Sequence, residues 1–209
     1  MAPSQYPGPS SAKPAAPLSS IAIATRRLKQ ELVRLQQDPP PGIAAYLSID
    51  ADNLSQWTAE VTGPVDSPFE GTVFTISMAI PARYPMEPPV CTFVTPIPYH
   101  PNICQAGRIC LDTLKRPPTG SWSPASNLTT VLLSLQSLLQ EPNPDDGLMA
   151  DISRLYHQDR QAWWDEAKRR LTVTRSISSS SKENDIKRIV QGESADTTAG
   201  QDKKRLKTV

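Results

Sequence analysis

The sequence predicts an α+β fold: a four-stranded antiparallel sheet packed on an N-terminal helix, a central helix and two C-terminal helices. Three observations carry this. A helical apolar repeat comes first, four strand-like segments then follow one another through short polar connections, and a leucine-rich helical stripe comes only after them. Strands that are grouped, rather than alternating with helices, pair as an antiparallel meander with one buried face.

Residues 1–18 are rich in Pro, Ser and Ala, bury too little apolar surface to offset the entropy of ordering, and are expected to form a disordered arm. With Lys13 as the single charge and five prolines, this arm has neither the basic nor the apolar region of a signal peptide. Order is expected from about Ser19 or Ser20. Ile21, Ala24, Leu28, Leu32 and Leu35 recur at helical spacing, a Ser is available as N-cap, and Asp38-Pro39-Pro40-Pro41-Gly42 is a hard stop. Arg26, Arg27, Lys29 and Arg34 fall on the polar faces of this helix.

Tyr46 to Ile49, Gln56 to Thr62, Thr72 to Ile80 and Val90 to Val94 read as strands, the third alternating Phe74, Ile76, Met78 and Ile80 with Thr75, Ser77 and Ala79. Tyr84-Pro85-Met86-Glu87-Pro88-Pro89 is too rich in proline for either element and is expected to be an exposed loop. After an irregular stretch from Thr95 to Asn127, Leu128, Val131, Leu132, Leu135, Leu138 and Leu139 form the stripe of a central core helix, ended by Glu141-Pro142-Asn143-Pro144. Two shorter helices are expected around Leu148 to Tyr156 and Arg160 to Leu171. The folded domain is therefore placed at 19–171 and a polar, basic and Ser-rich tail, expected to be disordered, at 172–209.

A chain of 209 residues with 38% hydrophobic side chains supports one core of about 150 residues. Its net charge of +1 conceals an asymmetry: residues 168–209 hold 11 Lys/Arg against 5 Asp/Glu, and residues 1–167 hold 11 against 16. No apolar run approaches the ~20 residues of a membrane helix. Three cysteines, an odd number at irregular spacing, fit a reducing compartment, so the nucleus or cytoplasm is expected. Lys203-Lys204-Arg205-Leu206-Lys207 reads either as a nuclear localisation patch or as a solvated basic terminus; without stacking aromatics it does not point to sequence-specific nucleic-acid binding.

The candidate chemistry lies in His100-Pro101-Asn102-Ile103-Cys104-Gln105-Ala106-Gly107-Arg108-Ile109-Cys110-Leu111-Asp112, an amide side chain and a cysteine on one loop. Taken alone, Cys110 is compatible with a buried structural thiol, with a protease nucleophile using His100 as base, or with a zinc site shared with His100 and Cys104. The protease lacks an orienting partner for the base and the zinc site lacks a fourth ligand.

His-Pro-Asn followed eight positions after the Asn by Cys-Leu-Asp resembles the signature of ubiquitin-conjugating enzymes (E2s). The likeness continues in Asp38-Pro39-Pro40, in the loop from Tyr84-Pro85 to Pro88-Pro89, in Trp122-Ser123-Pro124-Ala125 and in Glu141-Pro142-Asn143-Pro144-Asp145-Asp146, spanning about residues 19–171 in family order. The Lys-x-Pro-Pro-x-Gly-x-Trp insertion at Lys115 to Trp122, with Pro39-Pro40-Pro41-Gly42-Ile43 and Leu148-Met149-Ala150-Asp151-Ile152-Ser153, is similar to the T-type branch, which serves the Fanconi anaemia DNA-repair pathway. Thr95 to His100 departs from it by an extra residue.

The resemblance implies that Cys110 takes ubiquitin from an E1 by thiol-for-thiol exchange and passes it to a substrate lysine with a RING-type E3 ligase. Exchange of this kind needs a thiolate fraction and access rather than a strong base. Asn102 would stabilise the oxyanion or hold the loop that does so; His100 would order that loop. Asp146 matches the acid that orients the incoming lysine, with capping of the helix before Leu148 as the other reading, and Asp145 could share the two roles. Arg26, Arg27, Lys29 and Arg34 would meet the E1, and Pro85, Met86, Ser123, Pro124 and Ala125, with the first helix, would form the E3 platform. Met86 stands where Phe is common, which disfavours HECT-type partners. Ala44 stands near a Ser that chain-building members use to hold a second ubiquitin, so mainly monoubiquitin transfer is expected. The implied enzyme is a monomer with no cofactor of its own, ATP being consumed by the E1. A different ubiquitin-like modifier, or a noncatalytic scaffold, are the competing readings.

Overall fold

Pro39 to Pro41 cannot continue a helix, and in the computed structural model the first helix, α1, runs Leu18–Gln37 and stops there. The structure describes residues 18–48 and 54–173, with side chains from residue 21 onward. The arm at 1–17, the last residue of the first predicted strand, Ile49, and the tail from 174, including Lys203 to Lys207, lie outside the described residues. Because α1 starts at Leu18, Ser19 and Ser20 sit within the helix and neither is its N-cap.

Strands β1 (Ile43–Leu47), β2 (Gln56–Thr62), β3 (Val73–Ala79) and β4 (Val90–Thr95) form one antiparallel sheet in sequential order. Ala59 faces Ala45 on one side and Ile76 on the other. β1 begins three residues earlier than Tyr46. The turn closed by Ile43 N donating to Pro40 O and the bond from Thr62 N to Gly42 O bring Ile43 into register with Val61. The period-two pattern then sets the faces: Trp57, Ala59, Val61, Phe74, Ile76 and Met78 are fully buried, while Thr58, Glu60, Thr75 and Ser77 point the other way.

The central helix α2 (Leu128–Gln140) inserts Leu128, Val131, Leu132, Leu135, Leu138 and Leu139 into that core. Asn127 caps it: its side chain accepts from Thr130 N, and Thr130 Oγ1 accepts from Asn127 N. α3 (Ala150–Gln158) starts two residues after the predicted Leu148, and residues 160–173 form α4, which contributes Trp163, Ala167 and Leu171 to the core.

The proline-dense segment is not an exposed loop throughout. Tyr84, Pro85 and Glu87 are buried and only Met86 projects, because the Tyr84 hydroxyl donates to Glu31 of α1 and Trp122 Nε1 donates to Pro85 O. A composition rule sees the prolines but not the buried partner that pulls the loop inward.

Candidate active site

The hairpin from Cys104 to Arg108 is what brings Cys110 to Asn102. Gly107 N donates to Cys104 O, Cys104 N to Arg108 O, and Cys110 N to Asn102 O at 2.9 Å. Gly107 has φ +76°, and a Cβ there would stand 1.9 Å from Phe93 O, so only glycine lets the hairpin lie against β4. Arg108 pairs with Thr92 on that edge and Ile103 anchors the turn in the core.

His100 is wholly buried. Its Nε2 donates to Leu138 O at 2.9 Å and its Nδ1 accepts from Asn102 N at 3.0 Å. Burial pulls the ring's pKa down to about 4, so it is neutral at physiological pH. With both nitrogens committed to backbone, it is neither a base for Cys110 nor a zinc ligand, which removes the protease and zinc readings.

Asn102 is equally committed. Its Nδ2 donates to Asn143 O and Asp146 O, and its Oδ1 accepts from Asn143 N at 2.9 Å. Leu148 N and Met149 N both donate to Pro101 O. The side chain predicted to stabilise an oxyanion or to hold a loop is thus occupied in holding residues 143–149, the loop that presents Asp146.

Cys110 is 9% exposed in the wall of a groove also lined by Leu111 to Thr113, by Ser134, Ser137 and Leu138 of α2, and by Glu141, Asn143 and Asp146. Its thiol donates to Asp146 Oδ2 at 3.0 Å and accepts from Lys115 Nζ at 3.0 Å, while Lys115 Nζ also binds Asp146 Oδ2 at 2.9 Å. Burial, then Asp146, push the Cys110 pKa up; Lys115 works against them. The same contacts hold the Lys115 ammonium above and the Asp146 carboxyl below their ordinary ranges. Asp146 caps no helix: α3 follows an N-cap at Met149 with no side-chain bond, and Asp145 instead faces His157 at 3.3 Å.

Lys115 is the site residue that sequence reasoning passed over, quoted only as part of an insertion. Residues 115–122 fold back on themselves through Gly120 N to Arg116 O, Ser121 N to Asp112 O and Trp122 N to Lys115 O. That turn aims the lysine at Cys110, and no spacing rule could have announced it. Cys104 stands in the hairpin beside Arg108, which helps lower its pKa, outside the groove.

On α1, Arg26, Lys29 and Arg34 are exposed as predicted, but Arg27 is turned inward onto Glu31, Pro124 O and Ser126 O. Met86 is 58% exposed and Ser123, Pro124 and Ala125 are exposed near it, whereas Pro85 is buried. The predicted recognition surface is therefore smaller than the predicted list, with Arg27 and Pro85 beneath it.

Residues 27–171 match the protein-family model described as Ubiquitin-conjugating enzyme. The chain belongs to the ubiquitin-conjugating enzyme (E2) family. It is 50% identical to ubiquitin-conjugating enzyme E2 T of Xenopus laevis over 143 residues, 68% of this chain and 73% of the relative. The human E2 T is 50% identical over 142 residues, 68% of this chain and 71% of the relative. Ubiquitin-conjugating enzyme E2 N of Drosophila melanogaster is 50% identical over 131 residues, 63% of this chain and 82% of the relative. The α+β meander and its helices are the architecture of this E2, a ubiquitin transferase, and family membership implies ubiquitin, an E1 and an E3 as partners in general terms.

Proposed function

We propose that this E2 carries ubiquitin as a thioester on Cys110 and delivers it, with a RING-type E3, to a lysine of a DNA-repair substrate, mainly as single ubiquitin. The observation that carries the reading is a thiol set between a cation and a carboxylate in the wall of an open groove, with both His100 nitrogens committed to backbone. In the first step the Cys110 thiolate attacks the carbonyl of the E1-bound ubiquitin thioester, and the E1 thiolate leaves. Lys115 favours the thiolate that this step needs. In the second step a neutral lysine amine attacks the new thioester; the C–N bond forms, the Cys110 thiolate departs and the amine sheds its proton to solvent. Asp146 orients that amine, and the Lys115 ammonium marks where it sits. Lys115 itself is kept protonated and so is no nucleophile there.

Asn102 serves the second step by holding the 143–149 loop, and His100 serves it by holding Asn102. ATP is spent by the E1, and the chain needs no cofactor. Action in the nucleus or cytoplasm rests on the three free cysteines, and the repair role on the resemblance of the Lys115 to Trp122 insertion to T-type members, supported by the E2 T relatives, which match a longer stretch of this chain than E2 N does.

Incubation with E1, ATP and ubiquitin, read on a nonreducing gel, is expected to yield one thiol-sensitive adduct. Cys110→Ala is expected to abolish it and Cys110→Ser to convert it to an ester that survives reductant. No adduct with ubiquitin refutes the proposal. An adduct formed instead with another ubiquitin-like modifier reassigns the cargo. Long chains in a reconstituted reaction, unchanged by Ala44→Ser, would refute mainly single transfer.

A further inference from the structure

Glu31 is a carboxylate that is only 8% exposed, on a helix whose Arg26, Lys29 and Arg34 face solvent. A buried charge persists only where it is fully paired, and Glu31 is paired three ways. Its Oε1 accepts from Arg27 Nε at 2.8 Å and from the Tyr84 hydroxyl at 2.7 Å; its Oε2 accepts from Leu128 N at 2.8 Å, the first amide of α2. That last position is a helix N-terminus, where a negative charge is favoured. The Arg27 guanidinium, locked onto Glu31, extends its two remaining nitrogens to Pro124 O and Ser126 O and lies over the Tyr84 ring, 5.4 Å from its centroid. Trp122, beside Tyr84, donates to Pro85 O at 2.8 Å.

Three pieces of chain distant in sequence therefore meet on one buried carboxylate, α1, the loop carrying Met86 and the start of α2, and Arg27 ties in the adjoining loop that carries Ser123 to Ala125. We propose that Glu31 and Arg27 are positioning residues that lock these two loops into one recognition surface, so that their loss weakens partner-stimulated transfer while sparing the chemistry at Cys110. This inference rests on the reading of that surface as the E3 platform. The bonds require geometry as well as charge, since Arg27 uses its planar fork to reach a carboxylate and two carbonyls at once.

The test uses the full chain and three substitutions, Glu31→Gln, Arg27→Lys and Tyr84→Phe, with Lys29→Ala as an exposed control. Two readouts are taken: hydrogen exchange at the hydrogen-bonded amides of Met86, Glu87, Ser126 and Leu128, and lysine discharge from preformed thioester with and without a RING domain. The RING domain is one selected from a panel because it stimulates the unsubstituted protein. Glu31→Gln and Arg27→Lys are expected to speed exchange at the four amides about tenfold, the effect of weakening one charge-assisted bond, with the protection of β2 and β3 unchanged. Stimulated discharge is expected to fall about as much, and unstimulated discharge to stay within about twofold. Tyr84→Phe, which removes only a hydroxyl, is expected to show the same pattern more weakly, and it decides the matter should Glu31→Gln unfold. Lys29→Ala is expected to leave exchange unchanged. Wild-type behaviour of Arg27→Lys in both readouts overturns the proposal, because charge alone would then suffice; so does loosening of the loops with stimulation intact. Failure of every RING domain to stimulate the unsubstituted protein overturns the platform reading instead, while the exchange data still decide whether Glu31 locks the loops.

Discussion

Lys115 Nζ lies 3.0 Å from Cys110 Sγ, although the two residues are separated by a 3₁₀ turn and the side chains come from a loop that doubles back. The lysine offsets burial and Asp146, which both oppose the thiolate. Reactivity of Cys110 therefore rises with pH into and beyond the ordinary thiol range. Lys115→Met is expected to move the pH profile of iodoacetamide alkylation at Cys110 to higher pH, and Asp146→Asn to lower pH. At pH 8 the Lys115 variant should react several-fold more slowly. Superimposable profiles would show that neither group acts on the thiol.

Stability should carry the signature of His100. Its folded pKa of about 4 lies below the ordinary 6.5, so between these values the unfolded chain binds more protons than the folded one. Stability is therefore complete above about pH 6.5 and falls as pH drops toward 4, with about 3 kcal/mol at stake. His100→Ala is expected to lose that slope. At pH 7 it should also be destabilised by about 1–3 kcal/mol for each of Leu138 O and Asn102 N left unpaired. Urea denaturation at pH 7 and pH 5 measures both effects, and an unchanged slope in the variant contradicts the assignment.

Asn102→Ala frees the 143–149 loop and, with it, Asp146. Charging by the E1 is expected to change little, because the thiol keeps its access. Discharge of the preformed thioester to free lysine should fall up to about 10²-fold, the scale of misplacing a reacting group by about an ångström. Faster hydrogen exchange at Leu148 and Met149 should accompany it. A variant that discharges normally with a loosened loop would remove the loop from the mechanism.

Gly107→Ala places a methyl group against Phe93 O at a left-handed backbone position. The substitution is expected to cost about 3 kcal/mol or more and to lower charging in proportion to the unfolded fraction. A melting temperature equal to that of the unsubstituted protein would disprove the close approach.

Much of the fold was legible because it rests on local periodicity. The alternation of Phe74, Ile76 and Met78 announces a strand buried on one face, and the leucine stripe of α2 announces the core helix; both were found where expected. Boundaries were less legible. β1 starts at Ile43 because a turn at Pro40 and a bond from Thr62 N to Gly42 O extend the ladder, and neither leaves a mark in hydropathy. The loop at Tyr84 was misjudged for a related reason: its burial depends on Glu31, 53 residues away.

By itself the sequence determined the class of the fold, the family and the loop on which the candidate thiol lies, since each is written in short-range spacing or in motifs a dozen residues long. Only the tertiary structure decided what the polar side chains do. Asn102 and His100 are spent on the loops, Arg27 turns inward, and Lys115 faces Cys110. Each of these outcomes depends on a partner brought near by packing, because a side chain's role follows from which donors, acceptors and charges surround it, and no local pattern encodes that.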